Sequence, residues 1–171
     1  MTPLRQGDLG LARIRELLAY DHVSGLLTWR WSGHGVTCGE EAGSIDRKTG
    51  YRRVRIDGHN YQAHRVIWLL VTGAWPKVQI DHINTNRADN RFENLREASG
   101  SENQWNKHRR ANSPSGLKWV SWDDYPGNKR WAWAVQARGH TLRGYSKCKV
   151  AAHLAAVVAA NILHGKFARA E

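Results

Sequence analysis

The segment from Val78 to Lys107 constrains the fold most, because four local signals stand there in a fixed order. Val78-Gln79-Ile80 is a short β-prone run. A polar loop follows, Asn84 to Asn90, too rich in Asn and Arg to bury. Phe92 and Leu95 are apolar anchors on either side of Asn94. Ser99 and Glu102 then stand in S-x-x-E spacing, a capping box that starts a helix. Asn103 falls in the first turn of that helix. Strand, loop, strand, helix is the expected order.

Such an order delivers Asp81 and His82 to a strand end, with Asn94 twelve and Asn103 twenty-one positions beyond His82. Those four side chains suit the hydrolysis of a phosphodiester. The reaction needs a base for water, a divalent cation on the phosphate, and groups that hold both still. An imidazole titrates near neutral pH, so His82 is the candidate base. Asp81 and Asn103 offer the hard oxygens that Mg²⁺ prefers, with water and phosphate oxygens completing the shell. Asn94 is expected to orient the His82 ring through a hydrogen bond. Arg87, Arg91, Arg96 and Lys107 surround the segment as candidate phosphate contacts.

These residues, with the phrases AHRVIW (Ala63 to Trp68), NRFENLR (Asn90 to Arg96) and SEN (Ser101 to Asn103), resemble the HNH, or ββα-metal, nuclease family. The likeness is to the subgroup common among phage and intron homing endonucleases. It implies His82 as general base and Asn94 as the residue bracing the loop. Asp81 and Asn103 would be the metal ligands, for one Mg²⁺ or Mn²⁺ per site. Asn103 stands where many relatives carry His. His64 matches a histidine usual in the subgroup, but reads as structural and stays outside the catalytic set.

Charge agrees with a polyanionic partner. Lys and Arg number 26 against 15 Asp and Glu, a net charge of +11 and a pI near 10.2. Such an excess favours nucleic acid and predicts salt-sensitive binding. It is spread over the chain, with nine Lys/Arg against three Asp/Glu in residues 113–171. The two cysteines, Cys38 and Cys148, lie far apart with no partner at zinc spacing, so no structural zinc is expected. They read as reduced thiols, with a single disulfide left open. No apolar run reads as membrane-spanning, and Met1 to Gly10 has no signal-peptide character. A cytoplasmic protein without a membrane partner is expected.

Upstream of the motif, Leu11, Ile14, Leu17 and Leu18 recur at helical spacing. Tyr20 to Trp29 reads as a turn at Ser24-Gly25 leading into a strand, followed by a glycine-containing loop from Gly33 to Gly43. Tyr51 to His64 reads as a hairpin about Asp57-Gly58, a type I′ turn signal. Arg53 and Arg55 share one face of its first arm, a candidate DNA contact, with Val54 and Ile56 on the other. His64 to Val71 should be a buried helix, stopped by Gly73 and Pro76.

Residues 109–114 read as a basic linker. Beyond it, short aromatic and β-branched runs are broken by turn signals at Pro126-Gly127-Asn128 and Arg138-Gly139-His140. Three antiparallel strands and one helix, Val150 to His164, fit that pattern. Ser115, Gly116, Val120, Trp122, Trp131, Gly144, Tyr145, Ala151 and Ala152, with HGKFAR at the end, resemble the AP-two/ethylene-response-factor DNA-binding domain. Trp119 stands where that family usually has Gly, and Ala132 and Ala134 where polar or basic side chains are frequent. The likeness implies a sheet that enters the major groove. Lys118, Lys129, Arg130, Arg138 and Arg143 are its candidate contacts.

The sequence therefore reads as an α+β protein, a ββα-metal nuclease domain followed by a small three-stranded antiparallel sheet plus one helix. Its expected domains are 1–108 for the nuclease and 115–171 for DNA binding. The expected activity is metal-dependent cleavage of double-stranded DNA by a site-preferring, homing-type nicking enzyme, as a monomer. The alternatives are a DNA-binding regulator with a non-cleaving nuclease fold, and a nuclease directed at RNA or at DNA without site preference.

Overall fold

The computed structural model describes residues 9–107, 113–126 and 129–169. The chain divides into two compact units, Met1–Ala98 and Ser99–Glu171.

In the first unit, helix α1 (Leu11–Leu17) buries Ile14 and Leu17. Leu18 does not continue it. It opens strand β1 (Leu18–Tyr20), antiparallel to β2 (Leu27–Trp29) with Leu18 opposite Trp29. The leucine is 1 % exposed, so it gains the same burial from the strand as the periodicity assigned to the helix. Between the strands the Asp21 carboxylate accepts from the Val23 and Ser24 N–H groups and from Ser24 Oγ. Gly25 completes the turn at φ 75, and a Cβ there would lie 2.4 Å from the Arg91 nitrogen. Only glycine lets this turn approach the later loop so closely.

Strands β3 (Ser44–Ile45), β4 (Arg52–Ile56) and β5 (His59–Gln62) form an antiparallel sheet in that order. Asp57 and Gly58 both have positive φ, at 48 and 83, as a type I′ hairpin requires. Val54 and Ile56 are buried, while Arg53 and Arg55 face solvent. Helix α2 (Ala63–Thr72) follows directly, buries His64, Val66, Ile67 and Leu69, and ends at Gly73 in the left-handed region. Strands β6 (Gln79–His82) and β7 (Leu95–Ala98) pair antiparallel, with Asp81 opposite Arg96 and His82 opposite Leu95. A turn of 3-10 helix, Phe92–Asn94, leads into β7.

The second unit begins at the capping box. Ser99 accepts from the Glu102 N–H, the Glu102 carboxylate accepts from the Ser99 N–H, and α3 (Gly100–Trp105) follows. Strands β8 (Val120–Asp123), β9 (Arg130–Ala137) and β10 (His140–Ser146) form one antiparallel sheet with β9 in the centre. The long helix α4 (Lys149–His164) packs on one face of it. Ala152, Ala156, Ala159 and Ala160 give that helix a thin face, which leaves room for Val120, Val135, Trp131 and Trp133 beneath it. Gly144 lies opposite Trp133, and an added Cβ would come within 2.8 Å of the indole. Trp119 adopts φ 63, a left-handed backbone that glycine takes more readily.

The sequence expectations need two corrections here, and one linker and one turn lie partly outside the described residues. Lys149–Phe167 is long and apolar enough, by length and composition, to cross a membrane. Its outer residues Val150, Leu154, Val158 and Ile162 are exposed and supply much of that hydropathy, while its alanine face is packed on the sheet. The helix at the start of the chain is one residue shorter than its periodicity suggests. The linker expected at 109–114 lies mostly outside the described residues, as do Gly127 and Asn128 of the Pro126-Gly127-Asn128 turn. Cys38 and Cys148 are free and exposed.

Candidate active site

Strand β6 ends on the two residues with the most chemistry, and both are buried. Asp81 is 6 % and His82 3 % exposed. The strand register places Arg96 across from Asp81, and the two form an ion pair. Arg96 Nε donates to Asp81 Oδ2 at 2.9 Å, and Nη2 lies 2.8 Å from the same oxygen. Arg96 is itself 8 % exposed.

The loop from Asn84 to Asn94 is tied together by its asparagines. Asn94 Oδ1 accepts from the Asn84 N–H at 2.9 Å, and its Nδ2 donates to the Asp89 carbonyl at 2.8 Å. The Ile83 N–H donates to the Asn94 carbonyl. Asn84 and Asn86 each accept from the backbone two residues on, as Asx turns do. Asp89 is held by Arg91 and Asn84, which push its carboxyl down to about 2. An asparagine-rich loop is thus a rigid one.

His82 is fixed from three sides. Its Nε2 lies 3.0 Å from Asn90 Oδ1, while Asn90 Nδ2 donates to the Ala88 carbonyl. The amide oxygen can only accept, so Nε2 carries the proton and Nδ1 the lone pair. His64 packs edge-on at 5.1 Å between ring centroids, and Tyr51 at 5.8 Å. Burial holds the His82 pKa below its ordinary value, while the Asn90 hydrogen bond and the Asp81 charge oppose that shift. Burial, with His82 nearby, pushes His64 down to about 3. Both rings are therefore neutral at pH 7.

The ring bond expected of Asn94 is made by Asn90, which is 1 % exposed. Sequence reasoning passed over Asn90 because an Asn in a polar loop is an ordinary turn former. Its signal was its place in the NRFENLR phrase, just as that of His64 was its place in AHRVIW. Asn103 lies in the second unit, half-buried in the first turn of α3, its N–H donating to the Ser99 carbonyl at 3.0 Å.

The basic candidates divide by what already holds them. Arg96 and Lys118 are corrected by their surroundings. Arg96 is the buried partner of Asp81. Lys118 Nζ donates to the carbonyls of Trp105, Lys107 and Arg169, at 2.8, 2.6 and 2.9 Å, and burial pushes it down to about 8. It fastens chain segments rather than meeting solvent. Arg53 is paired with Asp46 and Arg91 with Asp89. Arg130 pairs with Asp123 and lies over the Tyr145 ring, and Arg138 reaches Glu102 at 3.6 Å. Lys129 lies 3.8 Å from Asp124, both exposed. Arg55, Lys107 and Arg143 are exposed. Arg87 donates to the Thr49 carbonyl at 2.7 Å and lies 4.8 Å from the centre of the Tyr51 ring.

One carboxylate, neutral amides and a neutral imidazole make a donor set of the kind Mg²⁺ or Mn²⁺ accepts when phosphate and water supply the remaining ligands. No cluster of three or more His, Cys, Asp or Glu able to hold a metal occurs among the described residues.

Comparison with known proteins agrees with this chemistry. A family model described as HNH endonuclease matches residues 61–105, a span that runs from β5 through α3. Protein 3.8 of Escherichia phage T7 is 35 % identical over 109 residues, which cover 62 % of this chain and 87 % of that protein. No solved structure matches.

Proposed function

The chain belongs to the family of phage T7 protein 3.8 and carries an HNH endonuclease domain, and from that premise we propose a divalent-metal-dependent endonuclease that nicks double-stranded DNA. One observation carries the reading: a buried, neutral His82, whose Nε2 meets Asn90 Oδ1, is the next residue along β6 from the buried Asp81 and is acted on by its charge. His82 takes the proton of the attacking water on Nδ1, and the water oxygen bonds to phosphorus as the P–O3′ bond breaks, the departing 3′-oxygen taking its proton from solvent. A Mg²⁺ or Mn²⁺ held by Asp81 and Asn103 would supply positive charge against the phosphate oxygens. Asn94 keeps the loop in the shape that presents Asn90 to His82. Arg87 offers a guanidinium to the phosphate.

The functional division is proposed at residues 109–114, with the nuclease module running through α3 to residue 108 so as to include Asn103. The DNA-targeting module is proposed from residue 115 onward. The open face of β8, β9 and β10 supports that role. Registered pairs put Ser121, Ala132 and Tyr145 in one row and Ala134 and Arg143 in the next. Small residues in the middle and polar groups at the edges suit a sheet laid into the major groove, in the manner of the AP-two-like domain. Site preference of the homing type would come from this face. One site per chain cuts one strand, so a monomer nicks.

The test is incubation of supercoiled plasmid with the protein in Mg²⁺ and in EDTA, beside His82→Ala. Metal-dependent nicking that disappears in the variant supports the enzyme. Binding by both proteins without cleavage in Mg²⁺ or Mn²⁺ refutes it in favour of a DNA-binding regulator.

A further inference from the structure

The charges around His82 do not add up to the anionic pocket that a bare divalent cation needs. Asp81 is matched by Arg96, at 2.8 Å and buried with it. Asp89 is matched by Arg91, at 2.7 Å, a guanidinium that also pairs with the exposed Glu93 at 3.1 Å. The third guanidinium, Arg87, rests on the Thr49 carbonyl and the Tyr51 ring, with no carboxylate partner among the described residues. Asp81, Asp89 and Arg87 are the charges that act on His82, and two of the three arrive already paired. His82, His64, Asn90 and Asn94 contribute no charge. Asp81, Asp89 and Glu93 against Arg87, Arg91 and Arg96 leave the site close to neutral without substrate.

Placing a doubly charged ion beside a neutral ion pair desolvates the ion with little Coulombic return, because Arg96 cancels most of the attraction of Asp81. A phosphodiester changes the balance. It brings one negative charge, is drawn by Arg87, and offers the cation hard oxygen ligands. Resting on the function proposed above, we propose that Arg96 makes the cation and the DNA phosphate bind this site together, the phosphate supplying the negative charge that Asp81 lacks in the free protein. Linkage is reciprocal, so the cation must tighten DNA binding by the same factor by which DNA tightens the cation. Arg96 is a positioning residue in this scheme. It fixes Oδ2 of the carboxylate and sets the charge against which the cation binds.

Binding of Mn²⁺ tests this without any turnover. The signal of free Mn²⁺ in electron paramagnetic resonance is followed in full-length His82→Ala protein, which keeps the site's charge and spares the DNA. Titrations run with and without duplex, with duplex alone and Asp81→Asn/His82→Ala as the subtracted controls. The Asp81-dependent Mn²⁺ affinity is expected to rise tenfold or more with duplex, within the roughly 5–150-fold range of ordinary site coupling. In Arg96→Gln the affinity without DNA should rise and the coupling shrink, whereas Arg96→Lys, which keeps the charge, should retain it. Because Arg96→Gln leaves a buried carboxylate without its cation and can fail to fold, the comparison with and without duplex decides by itself. Equal Mn²⁺ affinity in both states, or no Asp81-dependent binding in either, overturns the proposal. Equal affinity together with metal-dependent nicking by the wild type would remove this inference and leave the nuclease standing. Absence of nicking would remove the nuclease whatever the Mn²⁺ titration gives.

Discussion

Replacing Asn90 by Leu decides which asparagine serves the base. The substitution keeps approximate volume in a position that is 1 % exposed and removes the oxygen 3.0 Å from His82 Nε2. Taking away one partner of a buried hydrogen bond costs about 1–3 kcal/mol. For a unit of under 100 residues each kcal/mol lowers Tm by about 4–8 °C, so a folded variant with Tm lowered by about 5–20 °C is expected. The kinetic effect should be larger. Without the Asn90 oxygen, the proton is no longer held on Nε2, and the fraction of rings presenting a lone pair on Nδ1 falls. Losing a residue that orients an active-site histidine costs roughly 10- to 100-fold. The loss should appear in kcat with KM unchanged, because Asn90 is buried away from DNA. Single-turnover nicking below the variant's Tm measures it, and long-range ¹H–¹⁵N spectra of His82 report the tautomer directly. Asn94→Ala is the contrast. Its amide ties Asn84 to Asp89, so its loss should cost loop stability and leave the His82 tautomer in place. A folded Asn90→Leu protein that nicks within about threefold of wild type, with its tautomer unchanged, refutes the reasoning.

Two further outcomes follow from buried groups. His64 falls from 6.5 to about 3 in the folded chain, so between those values the unfolded chain binds the proton and the folded chain does not. Its contribution is complete above pH 6.5 and is lost as pH falls toward 3. His64→Phe should flatten that acid limb in denaturation midpoints taken at pH 7 and pH 4, and an unchanged slope would count against a neutral buried imidazole. Lys118→Met should lower stability while leaving DNA affinity in a filter-binding titration within about twofold, because its ammonium is spent on three carbonyls. Arg143→Ala, on the open sheet face, should weaken DNA binding and reduce its salt slope by about one. The reverse ranking of those two variants would exclude the sheet as the contact.

The parts of the fold that sequence made legible are those whose causes are local. Asp57-Gly58 forces a tight hairpin because both residues accept positive φ, and Ser99 with Glu102 starts α3 with two bonds within four residues. The helix α4 and its alanine face follow from composition over sixteen residues. The helical reading of Leu18 fails because its burial is satisfied equally by one more residue of helix or by pairing with Trp29. Only the contact with a strand eleven residues away settles the choice. Helical periodicity records which residues are buried, not which element buries them.

The site shows the same division at the level of single side chains. Asp81, His82 and Asn94 could be chosen from spacing, since their chemistry belongs to the residue types. What they do depends on partners that spacing leaves open. Arg96 looks like a phosphate contact until the β6–β7 register sets it opposite Asp81, one place from the pair His82 and Leu95. A shift of one residue would turn every side chain of the strand to the other face and expose that guanidinium. Register therefore converts a DNA-binding charge into an internal counter-ion. On the proposal above the conversion has a functional consequence, because a site whose Asp81 is already neutralised would draw its cation through the substrate. Net charge of +11 indicates a polyanionic partner, but the individual cation that meets it is found only after the internal pairs are removed. At this site that leaves Arg87, and its position over Tyr51 beside His82 is where the phosphate should come to rest.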